Sequence, residues 1–169
     1  YHLRITRDLD VAKEYLRLRY SDNKDARFGI ISSSKDRDLV NFGVMNDFQS
    51  TKRVNYGKWY GDDEFAPGKK SCRLLIDTVT EFGAQGLELD AALVAWGTDF
   101  KISDNKWSNE NARGYQKKKR VKNPYQLRKN SYRVLLTRGR DATVVFMPPL
   151  AELDDTFSYL VQSGYRVLD

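Results

Sequence analysis

Three short, unbroken apolar runs limit the folds open to this chain: FGII at 28–31, ALVAW at 92–96 and ATVVF at 142–146. A strand half exposed to water alternates apolar with polar residues, whereas a strand covered on both faces reads as a continuous apolar run. Each run ends in a cap or breaker: three serines at 32–34, Gly97, and Pro148 with Pro149. Helical patterns separate the runs. Alternation of buried strands with helices predicts a parallel sheet with helices on both faces, an α/β layer sandwich.

The remaining elements are read around that frame. LRIT at 3–6 is a short strand, and Asp8 opens a helix whose Leu9, Ala12, Tyr15, Leu16 and Arg19 recur at spacings of three and four. Residues 35–48 are expected to form a short helix and turn, and 49–70 an irregular connection punctuated by Gly57, Gly61, Pro67 and Gly68. CRLLIDTV at 72–79 is read as a strand, and 101–126 as a long basic loop or insertion. A helix is predicted over Leu127–Thr137, then a capped helix starting at Asp154 or Asp155 and closed by Gly164, then a last strand YRVL. The chain is taken as a single domain over 1–169.

Charge is distributed unevenly. The net charge is +6, yet residues 101–140 hold thirteen Lys/Arg against two Asp/Glu, leaving sixteen basic and twenty-one acidic residues elsewhere. An anionic partner at one place follows, with nucleic acid or nucleotide phosphates the natural candidates. Cys72 and His2, each the lone residue of its type, exclude an internal disulfide and the usual four-ligand Cys/His zinc site. Cys72 is expected to be a small buried hydrophobe, and no metal ligands are assigned. No apolar run reaches the roughly 18–20 residues of a membrane helix, and the start YHLRITRDLD lacks a signal-peptide pattern. It also lacks an initiator Met, so the chain reads as part of a longer or processed protein; the lone cysteine makes the reducing cytoplasm the natural compartment, and no membrane partner is expected.

No glycine lies in a GxxxxGK[ST] phosphate loop, no GxGxxG follows a strand, and GKK at 68–70 lacks the hydroxyl residue that would hold a metal ion. The informative segments are TEFGAQGLELDAALVAWG at 80–97 and NSYRVLLTRGRDATVVF at 130–146. Together they resemble motifs V and VI of superfamily 1 helicases. More particularly, TEFGAQGLELD, WGTDF and NSYRVLLTRGR, in this order, resemble a bacterial Schlafen-like DNA/RNA helicase domain family, with GIISSS and TFSYL in support. The resemblance spans roughly residues 4–168 and is weakest over 45–70 and 101–125.

That resemblance implies the second RecA-like domain of a P-loop NTPase, lacking the P-loop itself. ATP and Mg2+ would be held mainly by an N-terminal RecA-like domain of the same polypeptide, and the isolated chain would be inert. Arg138 resembles the motif VI arginine finger, suited to phosphate because a guanidinium is planar, permanently charged and bidentate. Arg140 is a second phosphate candidate. Gln85 and Gly86 would form a tight turn that lets backbone approach the phosphates or the nucleic-acid strand, and Glu88 resembles the motif V acid that bonds the nucleotide sugar. Thr80 resembles the motif V residue that contacts the nucleic-acid strand, and Asp90 is read as a turn cap.

DNA or RNA, single-stranded, is the expected partner. Ser32, Ser33 and Ser34 are candidates for backbone contact. Lys117, Lys118, Lys119 and Arg120, interleaved with Tyr115 and Tyr125, are candidates for phosphate contact and base stacking. Trp59, Tyr60 and Trp107 are possible stacking residues. The rival readings are a non-catalytic nucleic-acid-binding module of the same fold, a Rossmann-like small-molecule enzyme, which would need a glycine-rich first loop, and an interaction domain without motor function.

Overall fold

A computed structural model describes residues 1–114 and 121–169. The chain opens with β1 (His2–Thr6), α1 (Leu9–Arg19) and β2 (Phe28–Ser32). Then come α2 (Phe48–Lys52), α3 (Tyr56–Gly61), β3 (Thr78–Thr80), the single turn α4 (Glu81–Ala84) and β4 (Leu89–Ala95). A hairpin of β5 (Lys101–Ser103) and β6 (Lys106–Ser108) precedes α5 (Pro124–Leu136), β7 (Gly139–Phe146), α6 (Asp154–Gln162) and β8 (Arg166–Val167). Six strands form one sheet in the order β3-β2-β4-β7-β1-β8, and every neighbouring pair is parallel. This is the expected α/β arrangement of RecA-like and Rossmann-like domains.

The apolar runs explain why both faces are covered. Along β4, Ala91, Leu93 and Ala95 pack in one core with Phe28, Ile30, Val144 and Phe146 under α1, through Ala12 and Leu16. Ala92, Val94 and the following Trp96 pack in the other core with Ile31, Val145, Tyr132 and Leu135 of α5, and Leu160 of α6. Alternation of side chains along each strand thus feeds two cores from one continuous apolar run. No helix among the described residues is long and apolar enough to cross a membrane.

α1 is capped as its sequence demands, with the Asp8 carboxylate accepting from the Asp10 and Val11 N–H groups. Cys72 is buried, and burial pushes its thiol up to about 11. Four segments depart from expectation. Residues 35–48 form only a 3-10 turn at Leu39–Phe42, because the Asp36 carboxylate takes up the Asp38 and Leu39 N–H groups. The stretch 49–70, read as irregular, holds α3 and most of α2, each N-capped by an Asx side chain, Asn55 and Asp47 respectively. CRLLIDTV is a strand only at its end: Cys72–Leu74 is a 3-10 turn and Leu75 lies in the left-handed region at φ 55°.

The fourth departure is the β5–β6 hairpin inside 101–126. Its two-residue turn, Asp104–Asn105, has φ of 51° and 63°, the pattern of a type I′ turn. One irregularity lies inside the sheet: Leu89 pairs with Gly139 but Ala91 with Ala142, so Arg140 and Asp141 together oppose Asp90. The extra residue is a β-bulge in β7.

Candidate functional site

The candidate residues divide between the two ends of the parallel sheet. At the amino end, the turn before β4 meets the start of β7. Gly86 has φ 78°, the positive value expected of a tight turn. Gln85, Gly86 and Glu88 are exposed. Arg138 lies beside that turn: its Nε donates to the Val134 carbonyl at 3.1 Å and its Nη1 reaches the Ala84 and Leu87 carbonyls, each at 3.5 Å. Glycine follows because the bulge brings backbone against backbone; a Cβ on Gly139 would overlap the Ala142 carbonyl oxygen.

Arg140 is engaged differently. Its Nη2 donates to Asp90 at 2.8 Å and its Nη1 lies 3.9 Å from Glu88. Those partners, Asp90 first, raise its pKa further. Asp90 also accepts from the Arg27 N–H, so it ties β4 to β2 as well as to Arg140. Of the two arginines, Arg138 is the one whose acceptors are neutral carbonyls, two of them at the outer limit of a hydrogen bond. Less is lost when an anion replaces them. Tyr60 donates to the Glu88 carbonyl at 2.8 Å and packs against the core, so it supports this turn.

At the carboxyl end the polar groups are buried and bond one another, while the Arg128 Nε and the Ser32 hydroxyl have no partner among the described residues. Arg128, 1% exposed, donates Nη2 to Glu81 at 2.9 Å and to Ser131 at 2.9 Å, and Nη1 to Asp99 at 3.3 Å and to Ser33. Tyr132 donates to the other Asp99 oxygen at 2.5 Å, and the Ser33 hydroxyl also bonds Asp99. Glu81 further accepts from the Ser34 N–H at 2.7 Å and hydroxyl at 2.9 Å. Burial pushes the Asp99 carboxyl up, against the hydrogen bonds from Ser33, Tyr132 and Arg128. Burial also lifts the Tyr132 hydroxyl well above its ordinary value. It works against charge on Arg128, but Glu81 and Asp99 outweigh it and raise that pKa.

Asp36 completes the buried cluster. It accepts from the Asp38, Leu39 and Thr98 N–H groups, yet burial pushes its carboxyl up to about 6. The residues that build this network come from four separated parts of the chain, around 33–36, 81, 98–99 and 128–132. Arg128 stands in a run that reads as solvated charge, and only the TEFGAQ and WGTDF strings mark Glu81 and Asp99.

Beside this network opens a cleft of about 680 Å³, lined by Ser34, Lys35, Asn46, Phe48, Thr51, Lys52, Tyr56, Thr80, Phe82, Arg113, Gly114, Val121 and Leu127. Thr80 is among these lining residues. Ser32 and Ser33 are both fully buried, so neither presents its hydroxyl to solvent, and Ser34 is the serine that reaches the cleft. Lys117, Lys118, Lys119, Arg120 and Tyr115 lie outside the described residues. The aromatics named as stacking candidates are used internally. Trp59 is buried, Trp107 stacks on Phe100 at 4.9 Å and meets Tyr159 edge-on at 5.4 Å, and Tyr125 tilts against Phe100 at 5.9 Å. The aromatics that do line the cleft, Phe48, Tyr56 and Phe82, carry no sequence signal beyond their isolation in polar surroundings.

The amino end brings together a guanidinium, a backbone turn and a carboxylate, groups whose chemistry suits phosphate and sugar oxygens. For Mg2+ the fit is poor: no group of three or more His, Cys, Asp or Glu residues suited to a metal ion occurs among the described residues. Residues 1–149 match the family described as Schlafen group 3, DNA/RNA helicase domain. No curated protein and no solved structure matches the chain.

Proposed function

Because the chain belongs to the Schlafen group 3 DNA/RNA helicase domain family, we propose that it is the second motor domain of an ATP-dependent helicase or translocase. In this reading the amino end of the sheet forms the far wall of an ATP site completed by another RecA-like domain of the same polypeptide. ATP supplies the phosphoanhydride whose hydrolysis drives movement, and its Mg2+ is held by that other domain. The observation that carries the reading is the meeting of Arg138 with the Ala84–Leu87 turn: a guanidinium on neutral carbonyls at 3.5 Å, ready to exchange them for phosphate oxygens.

Each residue then has a role. Arg138 leaves its carbonyls and places positive charge against the γ-phosphate. The Gln85–Gly86 backbone closes over the nucleotide, and Glu88 accepts from its sugar hydroxyl. Arg140, held by Asp90, keeps Glu88 in place and adds positive potential without direct contact. The carboxyl end engages the nucleic-acid strand, so binding at one end of the strands and hydrolysis at the other are joined by a rigid sheet.

The test is the rate of ATP hydrolysis by the two-domain polypeptide carrying Arg138→Ala or Arg138→Lys. Removal of an arginine finger costs about three to five orders of magnitude in GTPases, and a loss of at least about a hundredfold, with lysine a poor substitute, is expected here. Hydrolysis by Arg138→Ala within about twofold of the parent overturns the reading. It would leave a nucleic-acid-binding module of the same fold.

A further inference from the structure

The three aromatic side chains around the carboxyl-end cleft are exposed to an unusual degree: Phe48 by 69%, Phe82 by 65% and Tyr56 by 44%. Exposed phenylalanines are ordinary singly, but three on the walls of one cleft make a surface that wants a partner. Charge identifies its class. Lys35, Lys52 and Arg113 line the cleft, and among the described residues no Asp or Glu does. Lys52 lies four residues after Phe48 on α2, with its Nζ 5.7 Å from the ring centroid, so cation and ring share one helix face.

The aromatics are also held in place. Phe82 directly follows Glu81, whose carboxylate is fixed by Arg128 and by both the N–H and the hydroxyl of Ser34. The Tyr56 ring lies on the backbone of Gly83, where a Cβ would stand 2.6 Å from Tyr56 Cε1 and 2.6 Å from Val79 Cγ1. Glycine at 83 is thus what allows α3 and α4 to bring Tyr56 beside Phe82. Asn46 at the cleft wall is 2% exposed, donates Nδ2 to the Ser33 carbonyl at 2.9 Å, and has an Oδ1 without a partner among the described residues.

From this arrangement we infer that the cleft is a base-stacking site for single-stranded nucleic acid. Bases stack on Phe48 and Phe82, Tyr56 shapes the space between them, and Lys52 and Arg113 meet the phosphates. Because every base has a π face, such a site tolerates any sequence; because paired bases hide their faces, it rejects blunt duplex. The inference rests on the reading of the chain as a nucleic-acid-engaging helicase domain, and specifies how it engages.

Fluorescence anisotropy with this chain and a labelled oligo-deoxythymidine of about 15 nucleotides tests it, alongside an abasic strand of the same length and a blunt duplex. The thymidine strand should bind at least about tenfold more tightly than the abasic strand, which has the same phosphates but nothing to stack. Phe48→Ala and Phe82→Ala should each weaken thymidine binding about tenfold and leave abasic binding unchanged. Lys52→Ala should weaken both and reduce the salt dependence by about 0.7 in log–log slope. As both phenylalanines are exposed, circular dichroism melts of the variants should match the parent.

Equal affinity for thymidine and abasic strands overturns the inference, as does unchanged binding by Phe48→Ala with Phe82→Ala. In either case binding of the parent chain to single strands would leave the nucleic-acid reading intact. No binding to any strand removes both, without touching the Arg138 test.

Discussion

The two ends of the sheet are built on opposite plans. At the carboxyl end, Arg128, Glu81, Asp99, Ser33 and Tyr132 bond one another inside the protein and carry exposed aromatics on a fixed base. At the amino end, Arg138 rests on carbonyls, and Arg140 and Glu88 face solvent. One end holds its charges among its own buried residues; the other leaves them loosely held and open to solvent. The difference teaches that charge in this chain stands in two settings, as internal scaffolding where it is buried and, in the proposed function, as a contact for phosphate where it is loosely held. Residue type alone does not separate them, since both ends depend on arginine and glutamate.

The contrast breaks most sharply at Arg128. Arg128→Met leaves Asp99 and Glu81 buried without their cation, a change that costs about 3–5 kcal/mol in comparable pairs. Urea denaturation should show that loss, and a midpoint close to the parent's would mean that the network is not a scaffold. The two ends should also differ in pH response. Asp36, pushed up to about 6 by burial, binds a proton more readily folded than unfolded. Its share of stability is therefore full below 3.8, its ordinary value, and lost as pH rises through about 6.

Asp141, near the amino end, is held low by the Tyr20 hydroxyl and Arg19. Its share is present above 3.8 and lost as pH falls through its lowered value. Asp36→Asn should flatten the stability profile between 3.8 and about 6, and Asp141→Asn the acid limb below it. Profiles of both variants parallel to the parent's would erase the distinction. Least of all, Arg140→Ala should leave the urea midpoint unmoved, because its pairs are open to water.

The sheet was legible because burial on two faces writes itself as a continuous apolar run, as in β2, β4 and β7. The same rule misreads CRLLIDTV. There Leu75 plugs one core and Cys72 the other from a 3-10 turn, and burial alone does not reveal backbone direction. Asp47, Asn55 and the Asp104–Asn105 pair did mark α2, α3 and the hairpin, but each is a two- or three-residue signal inside polar sequence. Of the site, the adjacency of the 84–88 turn and Arg138 was legible from two linear motifs. The Arg128 network was not, since Arg128 lies 29 positions from Asp99 and 95 from Ser33, and its cation resembles a surface charge.

The bulge in β7 has a bearing on all of this. Beyond it, from Ala142 onward, the strand keeps time with β4 and serves the core. Before it, Gly139 and Arg138 are one beat out of step with that rhythm. The slip lets neighbouring residues serve different masters, Arg140 turning to Asp90 and Asp141 to α1. A chain shortened by one residue at 140 or 141 would restore the rhythm and swing Arg138 off its turn, with the core sequence unchanged. Whatever Arg138 meets is therefore set by a count of residues as much as by their kinds.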